Sequence, residues 1–345
     1  MTYEAIAPRF MIKSKFISLF SAVVGITLAV AVGCSTLESN TSSVTPERNL
    51  ECIAPAKPGG GFDLTCRLLA NSLATARLIE QPMRIDYMPG GIGAQAYTHI
   101  VTSQPDDPSV AIAASTGSAV NLAQGKFGQY DVSAVRWLAA LGSDYGAIAV
   151  RADAPWQNLG ELMESFQNDP ESITVGAGGS IGSQDWFKAA LMARAVGVEP
   201  QKMRYVAFEG GGESIAALLG GQIQVYPGDA SELKEQVKAN KIRVLATLSD
   251  ERLPGFWQDY PTAKEQNYDS VWQIWRGYYL PPEITQQQYD WWVSRIEDLV
   301  EREEFQQELA RQGLFRFVKI GSEYDAFVKE QVTKYKKLAA EANLI

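Results

Sequence analysis

From residue 50 onward, short apolar runs alternate with glycine-rich turns and with stretches whose apolar positions recur every three or four residues. The runs at 50–54, 83–87, 110–114, 148–151, 173–176, 204–208, 222–226 and 242–248 read as strands. Helical spacing occupies 63–79, 184–196, 214–219 and 231–239, and the last third turns helical at 286–300, 303–312 and 322–342. Strands alternating with amphipathic helices predict an α/β fold with parallel-rich sheets flanked by helices. So many strands fit two lobes better than one, with the chain crossing over and later returning. Polar, turn-prone sequence near 145–151 and 249–255 places the crossings there. Lobe 1 is then 49–147 with 252–345, and lobe 2 is 148–251.

Upstream the pattern changes. Arg9, Lys13 and Lys15 precede an apolar run over 16–33, interrupted only by Ser18, Ser21 and Thr27. A basic flank, an apolar middle and small residues at the end predict an export signal over 1–33. A permanent span is the alternative, because 18 residues just cross a bilayer core; the small-residue exit favours cleavage. Ala29-Val30-Ala31 suits an ordinary signal peptidase, whereas Ala31-Val32-Gly33-Cys34 resembles a bacterial lipobox. The following stretch to residue 48 is rich in Ser, Thr, Asn and Glu, a solvated tether with little to bury. The expectation is a periplasmic protein, lipid-anchored to a membrane through acylated Cys34.

Charge narrows the function further. Beyond residue 33 the chain has 28 Lys plus Arg against 39 Asp plus Glu, a formal charge of −11. That balance argues against nucleic acid, which needs a basic face. His99 is the sole histidine and reads as a surface or core residue of a helix over 96–101. With no second histidine and no cysteine cluster, neither a His/Cys zinc site nor Ser-His-Asp chemistry has support. No cofactor is implied. Cys52 and Cys66 are either a disulfide closing a 15-residue loop or two buried thiols.

The chemistry lies in four glycine loops at strand-to-helix junctions, where open parallel sheets bind ligands. They are Pro58-Gly59-Gly60-Gly61-Phe62-Asp63, Ser115-Thr116-Gly117-Ser118, Gly178-Gly179-Ser180-Ile181-Gly182-Ser183 and Gly210-Gly211-Gly212. Free N–H groups at a helix start, with the helix dipole behind them, bind an anion without a basic surface. Each loop alone is weak, since glycine often serves only a turn. Together they point to a small anion. A dinucleotide fingerprint fails, because Ile181 stands where the third glycine belongs. Arg276, set among Trp272, Trp275, Tyr278 and Tyr279, either clamps a carboxylate or pairs with an acid. Lys57 either offsets ligand charge or is solvated, and Asp63 reads as a helix cap.

The string from Glu51 to Cys66, with its Ala-Lys-Pro-Gly-Gly-Gly-Phe-Asp core, resembles the start of the receptors of the tripartite tricarboxylate transporters. Tyr87-Met88-Pro89-Gly90-Gly91-Ile92-Gly93-Ala94 resembles that family's second loop, and the segments at 177–186, 204–212 and 261–266 resemble later ones. The resemblance runs from residue 51 to the C-terminus. It implies a venus-flytrap receptor that delivers a carboxylate to a large and a small membrane subunit; the expectation is a monomer and not an enzyme. By position it implies binding by Gly59, Gly60, Gly61, Phe62 and Asp63, by Gly179, Ser180, Gly182 and Ser183 facing them, and by Ser115 and Thr116 as a third loop. The likeness is to the citrate-type branch, so citrate is the expected ligand. Di- or aromatic carboxylates, presentation of a ligand to a membrane sensor, and an enzyme on the same fold are the alternatives.

Overall fold

The computed structural model describes residues 49–345; the expected export signal (1–33), Cys34 and the tether (34–48) lie outside the described residues. Strand β1 (Glu51–Ala54) leads into α1 (Gly61–Thr75), followed by β2 (Arg84–Tyr87), α2 (Ala94–Ser103), β3 (Val110–Ser115) and α3 (Thr116–Ala123). After β4 (Arg136–Arg151) come α4 (Leu159–Asn168), β5 (Thr174–Gly178), α5 (Gln184–Ala195) and β6 (Arg204–Phe208). Then follow α6 (Gly211–Leu219), β7 (Val225–Asp229), α7 (Ala230–Lys238) and β8 (Ile242–Leu248). The chain closes with β9 (Gln273–Leu280), α8 (Gln286–Val300), α9 (Glu303–Gln312), β10 (Phe315–Ile320) and α10 (Ser322–Glu341).

Two sheets share β4. Its first part pairs antiparallel with β9 and β10, and β9 pairs with β3 in a sheet that ends in the parallel trio β3, β1 and β2. From Gly146 onward β4 pairs instead with β7 and β8, and β7 continues in parallel to β5 and β6. The architecture is therefore α/β and two-lobed, as expected, but its sheets are mixed. Parallel ladders occupy the flanks while the centre is antiparallel. After β8 the chain stays with the second sheet: Thr262 bridges Thr247, and the Gln266 amide donates to the Leu245 carbonyl at 2.9 Å. It returns at Trp272, whose N–H donates to the Leu248 carbonyl at 2.8 Å and whose carbonyl accepts from Gly146 N–H at 2.9 Å.

Four strands depart from the sequence expectation: β10 lies in a stretch read only as the gap between two helices, and the other three depart for local reasons. The first half of β4 contains Gly142, Ser143 and Asp144, which interrupt the apolar run. Strand β9 is buried along nearly its whole length, so it shows no alternation and reads as an aromatic cluster. Strand β7 lies three residues later than expected because it ends in Pro227, Gly228 and Asp229, residue types that sheets ordinarily exclude. A Cβ on Gly228 would lie 1.9 Å from the Tyr226 ring, so this glycine lets the ring fold back over the strand.

The first loop is held from both sides. Leu68, Leu69, Trp292, Ile296 and Phe305 bury α1, α8 and α9 against one face of the first sheet. Cys52 on β1 and Cys66 on α1 are joined by a disulfide, which resolves the alternative left open by the sequence. Closing a loop of this length stabilises by about 3 kcal/mol in the chain-entropy model. The bond ties together the strand and helix that carry Gly59, Gly60 and Gly61.

Candidate functional site

The carboxyl ends of β1 and β3 in the first sheet meet those of β5, β6 and β7 in the second, where open α/β sheets place their ligands. An inner cavity of about 40 Å³ lies between them. Its walls are Gly60, Gly61 and Phe62; Ser115, Gly117 and Asn121; Gly178, Ser183 and Gln184; Gly210 and Gly211; and the charged residues Asp185, Asp229, Glu232 and Arg276. A wider groove of about 610 Å³ adjoins it, sharing Ile92, Asn121 and Ser183 and adding Lys57, Lys126, Glu209 and Glu213. At roughly 10–15 Å³ per water, the inner space holds on the order of three waters. The two sheets are drawn close together.

Helix capping explains what the cavity offers. Helices α3 and α5 are capped by their own serines: Ser115 Oγ accepts from Gly117 N–H at 3.1 Å and Ser183 Oγ from Trp186 N–H at 3.2 Å. Helices α1 and α6 begin at Gly60 and Gly210, with no side-chain cap. Their first-turn N–H groups lack intrahelical acceptors, and the positive ends of two helix dipoles face the same space. The two starts nearly touch, since a Cβ on Gly60 would lie 3.1 Å from Gly211 N. Further contacts join the same edges. Lys57 pairs with Glu213 at 2.9 Å, the Gln124 amide donates to the Gly182 carbonyl at 2.6 Å, and Lys126 donates to the Ile181 carbonyl at 2.9 Å.

Of the residues singled out in the sequence, Gly60, Gly61, Phe62, Ser115, Ser183 and Arg276 line the inner cavity. Gly179 and Ser180 line the outer groove, and Gly182 is spent on the contact with Gln124. Gly59 adopts φ +86° and donates to Asp63 Oδ2 at 2.8 Å. Asp63 also accepts from the Tyr87 hydroxyl and pairs with Arg67, so it braces the loop and does not cap α1. Thr116 Oγ1 accepts from Trp275 N–H at 3.1 Å, away from the cavity. The direct neighbour of the first loop is Gly210-Gly211-Gly212. The 179–183 loop lies against Ile92, Gln124 and Lys126 instead.

Beneath the glycine loops runs a buried chain of alternating charge. Arg276 Nη2 contacts Asp144 Oδ2 at 2.8 Å and Asp229 Oδ2 at 2.7 Å. Lys188 Nζ contacts Asp229 Oδ1 at 2.5 Å and Asp185 Oδ1 at 2.7 Å. Burial would raise the Asp229 carboxyl, but Lys188 and Arg276 outweigh it and hold the group below the usual carboxylate range. Burial raises the Asp144 and Asp185 carboxyls, offset in part by Arg276 and Lys188 respectively. The Arg276 guanidinium opposes its own burial through Asp229 and Asp144 and stays charged. Arg276 thus pairs with acids, as one of the two sequence readings held, while its side chain also borders the cavity. A Cβ on Gly61 would lie 2.0 Å from Arg276 Nη1; only glycine leaves room for the guanidinium beneath α1.

Glu232 completes the wall. Its Oε2 accepts from the Tyr226 hydroxyl. Burial first, then the Asp229 charge, pushes its carboxyl up to about 8. Sequence reading missed Glu232, Asp229, Asp144, Asp185, Lys188 and Gln184. Asp229 and Glu232 were within reach of the rule that ligands sit beyond strand ends, had β7 been placed three residues later. Asp185 and Lys188 carry a weaker signal, an i,i+3 pair on one helix. Among the described residues, no three His, Cys, Asp or Glu side chains converge as a metal site.

Residues 66–344 match the family described as "Tripartite tricarboxylate transporter family receptor". The periplasmic binding protein BugD has a similar structure: TM-score 0.77, 22% identity, covering 87% of this chain and 99% of that one. MatC of Rhodopseudomonas palustris with bound malate superposes with TM-score 0.73 and 20% identity, covering 84% and 98%. An R. palustris protein with adipate gives TM-score 0.77 and 18% identity, covering 86% and 97%. At these identities the structural likeness establishes the fold.

Proposed function

From the premise that this chain belongs to the tripartite tricarboxylate transporter receptor family, and is therefore an extracytoplasmic solute-binding receptor and not an enzyme, we propose that it captures a small carboxylate between its lobes and delivers it to the large and small membrane subunits of such a transporter. The observation that carries this reading is the convergence of two helix starts, α1 and α6, with glycine caps only, on one cavity from opposite sheets. Uncapped N–H groups with the helix dipoles behind them suit a carboxylate. One monomeric receptor would hold one ligand. The moving bodies would meet at Gly146 and at Trp272, where the chain passes between sheets.

The acidic wall favours a ligand with fewer charges than citrate. A trianion would bring three negative charges into a region where the carboxyls of Asp144, Asp185, Asp229 and Glu232 already outnumber Arg276 and Lys188, which selects against it. MatC and the adipate-bound protein hold dicarboxylates, and an acid of that size is the ligand this cavity fits best once the lobes part. In a thermal-shift screen of mono-, di- and tricarboxylates, ligand at 100 times its Kd should stabilise by about 2.7 kcal/mol. Dicarboxylates should give the largest shift. A flat response to every carboxylate would sink the receptor reading.

The lipid anchor rests on sequence alone. The lipobox-like Ala31-Val32-Gly33-Cys34 and the polar stretch after it support acylation at Cys34. Metabolic labelling with a fatty acid should mark the wild-type protein and leave Cys34→Ala unmarked. An unlabelled wild type whose mature chain starts at Val32 would exclude the anchor.

A further inference from the structure

We infer that a groove between α1, α7 and α9, outside the ligand cleft, receives an acidic segment of a partner protein. The inference does not depend on which solute the cleft holds. The groove encloses about 350 Å³ and is a joint product of both sheets: Arg67 on α1 with Arg311 and Gln312 on α9 face Lys234, Glu235 and Lys238 on α7. Four of these side chains are cations and one is an acid. The chain as a whole carries 40 Asp plus Glu against 31 Lys plus Arg, so a basic hollow runs against its composition. Such a patch attracts acidic partners.

Two groups in the groove have unspent bonding capacity. Lys234 is 9% exposed, and its Nζ donates to the Ala310 and Arg311 carbonyls at 2.9 and 2.7 Å. Among the described residues it makes no salt bridge, and an ammonium has a third proton to give. Burial first, then Lys238, holds this ammonium below its ordinary value; an incoming anion would reverse that. Gln312 is 6% exposed and its amide donates to Glu308 at 2.6 Å, yet its buried Oε1 has no donor. A spare N–H and an unfilled carbonyl match a peptide, which brings both a carboxylate and backbone N–H groups. A fully ionised free oxyanion brings acceptors only.

The rim can re-pair at little cost. Lys238 contacts Glu235 at 2.8 Å and Arg311 contacts Glu308 at 2.5 Å, with the two basic side chains 47% and 62% exposed. Exposed pairs of this kind contribute little to stability, so their cations are free to turn toward a partner. Arg67 is the exception, held against buried Asp63 at 2.8 Å. Shape favours a polypeptide over a lipid surface. A flat membrane meets protruding apolar and basic side chains, whereas this site is a hollow. The exposed large apolar residues Ile181, Val206 and Ile345 are not among its walls.

A dye-labelled peptide of alternating Glu and Ser, with an Ala-Ser peptide as control, tests this by fluorescence anisotropy. Wild-type protein should bind the acidic peptide and not the control, and added salt should weaken the binding. Lys238→Glu combined with Arg311→Glu should weaken it by about tenfold or more, because like charges then face each other. Neither residue lines the cavity or the groove of the ligand cleft. The unliganded melting curve and the succinate titration of the double variant should therefore match the wild type. Failure of the acidic peptide to bind, or binding that survives the double reversal, overturns the inference. Displacement of the peptide by an equal concentration of inorganic phosphate also overturns it, marking a small-oxyanion site. Binding to phosphatidylglycerol vesicles without binding of the peptide does so too, marking a membrane contact. The succinate titration stands apart: its failure in the wild type counts against the receptor reading and not against this groove.

Discussion

Gly212→Ala should weaken carboxylate binding by about 10- to 100-fold while the unliganded protein stays folded. A Cβ at this position would lie 2.3 Å from the Pro58 carbonyl oxygen and within 3.1–3.2 Å of Gly59 C and Cα. All three are backbone atoms, so no rotamer change can clear the methyl. The α6 start must back away from the 58–60 loop, and forced overpacking of this kind costs about 1–3 kcal/mol. At about 1.4 kcal/mol per tenfold, that range sets the loss of affinity. Residue 212 lies within α6, where alanine is favoured over glycine by about 0.8–1.0 kcal/mol. Local helix stability and affinity should therefore move in opposite directions. Calorimetry and a melting curve on the same sample read both, and unchanged affinity would place the ligand somewhere other than between these two helix starts.

Asp229→Ala should destabilise the fold by about 3–5 kcal/mol, the usual consequence of removing one partner from a buried ion pair. Asp229 is 3% exposed and bridges Arg276 from the first sheet to Lys188 from the second. Without it two buried cations share only Asp144 and Asp185, whose carboxyls burial already raises. The lost energy is mainly the cost of leaving positive charge unpaired. Because Asp229 is held below its ordinary value when folded, its contribution is present at neutral pH and fades as the pH falls through the acid range. The stability gap between wild type and Asp229→Ala should therefore narrow in acid. Urea denaturation at pH 7 and near pH 3 measures both effects; a difference under 1 kcal/mol at pH 7 would mean that the network carries little stability.

The sequence revealed the frame better than the site. The α1 loop, the boundaries of α8 and α9, and strands β6 and β8 were legible because apolar spacing and glycine punctuation agree there. The shared strand was not. Gly142, Ser143 and Asp144 break the hydrophobic run of β4, yet they are tolerated because Asp144 is neutralised by Arg276 and receives the Ser231 hydroxyl and N–H. The glycine loops were legible as strand-to-helix junctions, but which loop faces which depends on lobe geometry that no local pattern encodes. Arg276 drew notice as an arginine among aromatics. Its acidic partners lie 132 and 47 residues away in the chain and emerged only when the sheets were assembled.

The central claim is reversible capture of a small carboxylate between α1 and α6, and equilibrium titration of the wild-type protein tests it most directly. Succinate, aspartate and citrate would each be titrated by calorimetry at neutral pH, and the ligand recovered afterwards for chemical analysis. The account predicts saturation at one dicarboxylate-sized ligand per chain, weaker binding of citrate, and recovery of every ligand unchanged. Absence of binding heat with all three acids, or recovery of a chemically altered ligand, would contradict it.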